Sequence, residues 1–121
     1  MTVRAIRGAI QVDAHDAATI VAGATELLTV VLSDNDLVAD DVISILFTLT
    51  PDLTAAFPAV AARRLGLIGV PLMCATEVAV PGALPRVIRL MAHVHTELSS
   101  SDIRHAYLGG AQELRPDLVR R

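Results

Sequence analysis

The chain has no tryptophan, no lysine and a single cysteine. Aromatic residues make up 2% of its 121 positions, and Phe47, Phe57 and Tyr107 are all of them. A core must therefore be assembled from Ala, Val, Ile and Leu. One cysteine, Cys74, excludes an intrachain disulfide framework and fits a reducing compartment. All 10 cationic side chains are arginine. That excludes Schiff-base chemistry and the phosphate loop that needs a lysine. Any anion bound here must be held by planar, permanently charged forks. A basic excess is missing too: the formal net charge is -3, which argues against a nucleic-acid partner. So is a long hydrophobic run. The most apolar stretch, Ala17 to Leu32, is interrupted by Glu26 and is too short to cross a bilayer. The opening MTVRAIRGAIQVDAHD lacks the unbroken apolar segment of a secretory signal. The expectation is a cytoplasmic protein with no membrane partner.

What is present is aliphatic. Hydrophobic residues are 53% of the sequence and charged residues 19%, so the chain should fold, and its length suits one domain over 1–121. Mean hydropathy is +0.54, high for a small chain with much surface per volume. Surplus apolar residues imply that subunits bury faces against one another.

Residues 2–11 alternate, with Val3, Ala5, Arg7 and Ala9 on one side and Arg4, Ile6, Gly8 and Ile10 on the other. Asp13 offers a helix N-cap, with Asp16 three residues on. Ala17, Ile20, Val21, Ala24, Leu27, Leu28 and Val31 follow at helical spacing, predicting an amphipathic helix over about 15–33. Val42 to Leu49 is β-branched and apolar on both faces, the pattern of a buried central strand. Thr50-Pro51-Asp52 breaks it. Phe57-Pro58 opens a short Ala-rich helix to about Leu65, Gly66 and Gly69 bracket a loop, and Val70 to Val80 is expected as a strand. Pro81-Gly82 is a turn. In Val87 to Thr96, Ile88, Leu90, Ala92 and Val94 point one way, and Arg89, Met91, His93 and His95 the other. Such a strand packs a helix on its apolar face and leaves the mixed face for a site or a partner subunit. Ser99 to Asp102 caps a helical turn, His105 to Leu108 is a last strand, and Gly109-Gly110 a turn. The class is α+β, a mixed sheet covered by helices.

Several separated blocks agree in order with a known family: Arg4-Ala5-Ile6-Arg7-Gly8-Ala9; Thr50-Pro51-Asp52-Leu53 with Phe57-Pro58-Ala59; Val70-Pro71-Leu72-Met73-Cys74-Ala75-Thr76-Glu77; Arg86-Val87-Ile88-Arg89; and Ile103-Arg104-His105-Ala106-Tyr107-Leu108 with Leu114-Arg115-Pro116-Asp117-Leu118. Over nearly its whole length the chain resembles the monofunctional chorismate mutases of the AroH type. The resemblance implies a ferredoxin-like, chorismate-mutase-like fold whose sheets form the pseudo-α/β-barrel core of a homotrimer. Active sites would lie between subunits. The reaction implied is chorismate to prephenate, toward phenylalanine and tyrosine, with no cofactor and no metal. By position, Arg7, Glu77, Arg89 and Tyr107 match polar residues that hold the substrate, and Cys74 matches a residue beside its hydroxyl, within the block Met73-Cys74-Ala75-Thr76. Phe57, Ala59, Arg63, Leu72 and Met73 match positions contributed by a neighbouring subunit, and Leu114 and Arg115 a segment that closes over the cleft. Val60 stands where some members have a basic side chain.

The implied chemistry suits the residues. A [3,3] rearrangement moves no proton, so it needs no nucleophile or general base, and the sequence offers no convincing Ser-His-Asp or Cys-His set. Arg7 would pair with a carboxylate. Arg89 would direct N–H donors at the ether oxygen where negative charge grows. Glu77 would accept from the ring hydroxyl and hold Arg89 in register, and Tyr107 would donate to a carboxylate. Simpler readings stand beside these. Arg7 and Arg89 could be surface arginines, Glu77 a structural ion-pair partner of either, Cys74 a core thiol and Tyr107 a strand anchor. His93 and His95 could offer two metal ligands without a third; His15 and His105 are expected at the surface. The alternative function is a non-catalytic small-anion binding trimer on the same scaffold.

Overall fold

A computed structural model of the chain describes residues 1–118, with the side chain of Leu118 left out. The last three positions of the expected 1–121 domain lie outside the described residues. The alternating N-terminal segment is strand β1 (Thr2–Gln11), and helix α1 (Ala17–Asp34) follows. The helix starts later than the Asp13 cap would place it. Asp16 is the cap, its carboxylate accepting from the Thr19 N–H at 2.8 Å and from the Thr19 hydroxyl at 2.9 Å. Asp16 wins because it alone has an N–H and a hydroxyl together three residues ahead. Those bonds from Thr19 hold its carboxyl below its ordinary 3.8.

α1 ends on Asn35 and Asp36. Asp36 adopts a left-handed conformation (φ 52°), its N–H donates to the Ser33 carbonyl and that of Leu37 to the Leu32 carbonyl. This is a helix-terminating motif usually reserved for glycine. By length and composition α1 could cross a membrane. Its apolar stripe (Ile20, Ala24, Leu27, Leu28 and Val31, all fully buried) is instead spent on the sheet.

A single 3-10 turn at Ala39–Asp41 leads into β2 (Val42–Leu49), then α2 (Ala59–Arg64), β3 (Leu72–Thr76), β4 (Val87–Thr96) and β5 (Ala106–Leu108), with 3-10 turns at Gly109–Leu114 and Pro116–Leu118. The expected Val70–Val80 strand is confined to its middle. Pro71 precedes it, and Glu77 onward turns away through an exposed loop to Pro81-Gly82. Gly109-Gly110 opens a 3-10 turn rather than an isolated bend. Ser99–Asp102 forms a turn, not a helix, closed by the Ser99 hydroxyl on the Asp102 carboxylate at 2.8 Å.

The five strands form one mixed sheet in the order β3-β2-β4-β1-β5. β4 runs antiparallel to its neighbours β1 and β2, while β2 and β3, and β1 and β5, pair parallel. The long strand β4 therefore sits at the centre and its side chains define both faces. Both helices lie on one face. There Ile6, Ile45, Phe47, Ile88 and Val94 are sealed under α1. The approach is close: a Cβ on Gly8 would meet Leu27 Cδ1 at 3.0 Å, and one on Gly23 would collide with Val12. Helix and strand touch here because both backbones lack a side chain. Among the described residues the opposite face carries no α-helix, only the Gly109–Leu114 3-10 turn packed through Ala111 on Ala9, Val87 and Tyr107, and it exposes Val3, Leu46, Met73 and Met91.

Candidate active site

Strand register lays out the bare face in rows. Thr48 and Ala9 both pair with Arg89, Ala75 pairs with Thr48, and Tyr107 pairs with Ala9. One row thus reads Ala75, Thr48, Arg89, Ala9, Tyr107. The next reads Met73, Leu46, Met91, Arg7. Ala9, between Arg89 and Tyr107, is buried with Ala111. Beside it opens a cleft of about 230 Å³, lined by Arg7, Leu46, Thr48, Arg89, Met91 and Tyr107.

Arg89 is fixed from the β3 side. Its Nε lies 3.2 Å from Glu77 Oε2, and that oxygen also accepts the Thr48 hydroxyl at 2.7 Å. Glu77 is placed by its own N–H on the Leu49 carbonyl at 2.8 Å. The carboxylate neutralises Arg89 through Nε, which is buried against it at an angle short of a hydrogen bond. The Arg89 side chain as a whole stays 44% exposed and that of Glu77 17%, so the pair faces the cleft opening.

The start of β4 is anchored independently. Arg86 has φ 53°, a strained conformation for a side chain of that size. Its N–H donates to Asp52 Oδ2 at 2.9 Å and its Nε to the Val12 carbonyl at 2.9 Å. Burial pushes the Asp52 carboxyl up, but bonds from Thr50 and the Arg86 N–H outweigh it and hold the carboxyl below its ordinary 3.8. The Thr50-Pro51-Asp52 turn thereby sets where Arg89 emerges, three residues on.

Tyr107 is 4% exposed and packs with Ala9, Val87 and Ala111, against which Leu84 and Leu114 lean. Arg115 is turned to Asp117, with Nη2 2.8 Å from its carboxylate. His105 is not the surface residue expected. It is half-buried, and its Nδ1 accepts the Arg7 backbone N–H at 2.9 Å.

The remaining candidates gather elsewhere. Phe57, Cys74, Ala75 and Thr76 line a separate depression of about 390 Å³ with Leu49 and Thr54. Phe57 is 70% exposed and Met73 67%, large apolar side chains without cover. Arg63 is exposed on α2, Leu72 is half-buried against the core, and Ala59 is buried with only 5% exposure. Cys74 packs partly against the core, as a thiol filling space would. The chain therefore assembles Arg7, Glu77, Arg89 and Tyr107 at one cleft and Phe57 with Cys74–Thr76 at another. His93 and His95 project from the bare face, His93 Nδ1 3.5 Å from the Ser44 hydroxyl, and no group of three His, Cys, Asp or Glu side chains is placed to hold a metal ion among the described residues.

Thr48, Leu46 and Met91 line the cleft but were not singled out from the sequence as site residues. For Thr48 a signal existed: it is the one polar residue at the outward end of β2, opposite an arginine. Reading β2 as apolar on both faces obscured it.

An α+β sheet with one bare face, and on it two guanidinium groups and a phenol lining one cleft, is an arrangement suited to holding an anion. The chain belongs to the chorismate mutase type I family, whose description it matches over residues 3–118. It is 47% identical over 117 residues to chorismate mutase AroH of Thermus thermophilus (96% of each chain). It is 40% identical over 119 residues to chorismate mutase AroH of Bacillus subtilis strain 168 (98% of this chain, 94% of that one). A solved chorismate mutase from Clostridium thermocellum superposes with a TM-score of 0.90 at 49% identity, covering 91% of this chain and 98% of that one. The protein is accordingly an isomerase that converts chorismate to prephenate in aromatic amino acid biosynthesis.

Proposed function

We propose that chorismate binds in the Arg7–Arg89–Tyr107 cleft and rearranges there without a bond to the protein. In one concerted step the ether C–O bond breaks and a C–C bond forms. Three electron pairs shift around a six-membered ring, and no proton is transferred. Negative charge accumulates on the ether oxygen as the C–O bond lengthens. Arg89 supplies fixed donors to that oxygen, which stabilises the transition state more than the ground state. Arg7 holds a carboxylate through a bidentate pair, Tyr107 donates to a carboxylate, and Glu77 takes the ring hydroxyl while keeping Arg89 in register. These contacts also select the compact conformer in which the two reacting carbons meet. The single observation that supports this reading is the Arg89 guanidinium held by Glu77, Nε to Oε2 at 3.2 Å, at a cleft that Arg7 and Tyr107 also line.

The site is completed by a second subunit of a homotrimer. A neighbour's Phe57, Arg63 and Met73 cover the cleft, with Ala59 and Leu72, packed on that neighbour's own core, shaping the backbone beneath them; Cys74, Ala75 and Thr76 flank the hydroxyl, and Leu114 and Arg115 close the remaining side. Support comes from the bare sheet face with Leu46, Met73 and Met91 exposed and from the split of the candidate residues between two depressions. The whole of 1–121 forms one such domain and works in the cytoplasm. Val60, in place of a basic side chain, leaves Arg63 as the long-range attractor for the dianion.

The test is turnover by purified protein in EDTA, followed by loss of chorismate absorbance, beside sedimentation for mass. The proposal expects prephenate from a trimer. Arg89→Lys keeps the charge and loses the fork; near-normal turnover in that variant would refute the role given to guanidinium geometry.

A further inference from the structure

β5 is three residues long and pairs with β1 at three positions, Gly8 with Ala106, Ala9 with Tyr107 and Ile10 with Leu108. It is an edge strand, and so short a ladder is the kind of segment that opens first. Yet it carries Tyr107, and its partner β1 carries Arg7. Two side chains outside the ladder lengthen it. Asn35, 1% exposed at the end of α1, grips residue 104: its Oδ1 accepts the Arg104 N–H at 2.8 Å and its Nδ2 donates to the Arg104 carbonyl at 2.9 Å. The same Nδ2 donates to the Val31 carbonyl at 2.8 Å, so the grip is itself seated on the helix. One residue on, His105 Nδ1 accepts the Arg7 N–H at 2.9 Å.

We propose that His105 is a positioning residue for the chorismate site: with the Asn35 grip on Arg104, its Nδ1 bond to the Arg7 backbone ties α1, β5 and β1 into one brace that sets where Arg7 and Tyr107 stand. The inference rests on the reading of the Arg7 cleft as the substrate site. An Nδ1 that accepts must be unprotonated. Burial, then the charges of Arg7 on β1 and Arg115 on the C-terminal segment, push the imidazole below its ordinary 6.5 and keep it so. Asp117 faces those two cations, paired with Arg115. Asp34 and Arg104 flank the brace in sequence. The brace therefore survives mild acid that would charge a free imidazole.

The experiment compares wild type, H105A, H105N and H105Q by chorismate kinetics and by the Arg7 amide resonance in 15N–1H spectra. Asn places its oxygen where Nδ1 lies; Gln places it nearer Nε2. H105A and H105Q should raise KM about five-fold, the factor that one hydrogen bond of ordinary net strength represents, with kcat moving less and the Arg7 amide proton shifting upfield. H105N should hold KM within about two-fold and keep the amide downfield, since its acceptor is conserved. Wild-type KM should stay level down to about pH 6, where a free imidazole is already mostly charged. A wild-type KM and Arg7 amide shift in H105A, or in H105Q should H105A not fold, would overturn the inference. So would an H105N as impaired as H105Q. If wild type fails to turn over chorismate while the Arg7 amide responds as described, the site reading falls and the brace stands.

Discussion

On the helix-covered face of the sheet, Ile6, Ile45, Phe47, Ile88 and Leu90 alternate with residues that, on the other face, are Arg7, Leu46, Thr48, Arg89 and Met91. The same backbone rows present both sets. Under α1 the side chains have one task, to leave water, and their shapes interlock so closely that Gly8 and Gly23 admit no Cβ freely. On the bare face the task is electrostatic. Charges there stay partly open to solvent, as with the Glu77-paired Arg89, and apolar side chains stand uncovered. Stability and chemistry are thereby assigned to opposite sides of a single layer. The covered face can be rigid because its contacts are saturated; the bare face can bind because its contacts are not.

That division can be broken experimentally. Arg89→Ala should lower kcat by about 10²–10³, the usual effect of deleting one preorganised donor, and leave the melting temperature close to wild type. A large drop in melting temperature would mean that Arg89 is structural and the faces are not independent. Leu27→Ala should do the reverse: a cost of about 3 kcal/mol in denaturant unfolding, typical of a buried Leu truncation, with kcat per folded molecule retained.

Asp52→Ala sits at the border and should move both readouts. Loss of the bonds that hold Arg86 should cost about 1 kcal/mol of stability and reduce turnover, because Arg89 follows three residues later. The pH signature has a definite sign. The Asp52 carboxyl is depressed in the fold, so its contribution is present above its ordinary 3.8 and is lost as pH falls through the lower folded value. In Asp52→Asn that part of the acid slope should vanish in pH-dependent melting. Asp36→Gly should have the smallest effect, a gain of about 1 kcal/mol from relief of the left-handed strain, with kinetics unchanged.

Much of this was legible in residue order. Alternation located β1 and β4 to the residue, and helical spacing located α1 to within two residues at its start. The bounds that failed did so for local reasons. Asp13 resembles a cap as well as Asp16 does until Thr19 is seen to face only the latter. Val70 to Val80 is β-branched enough to extend, but only Leu72–Thr76 finds a partner strand in β2. His105 was assigned to the surface because nothing in sequence says that an imidazole 98 residues away will meet the Arg7 N–H. Among the site candidates, Arg89 was legible because a charge in an apolar alternation stands out. Thr48 was not, since a threonine in a strand has too many ordinary reasons to be there.

Sequence by itself determined the alphabet of this enzyme: an aliphatic core, arginine as its only cation, and two strands whose alternation separates a dry side from a wet one. These follow from composition and from the two-residue period, which act within a few neighbours along the chain. Only the tertiary structure decided that β4 would lie between β1 and β2 and bring Thr48, Arg89, Ala9 and Tyr107 into one row. Strand order and register are set by which long-range packing buries the most surface without orphaning backbone groups, and that contest is settled between residues far apart in the chain.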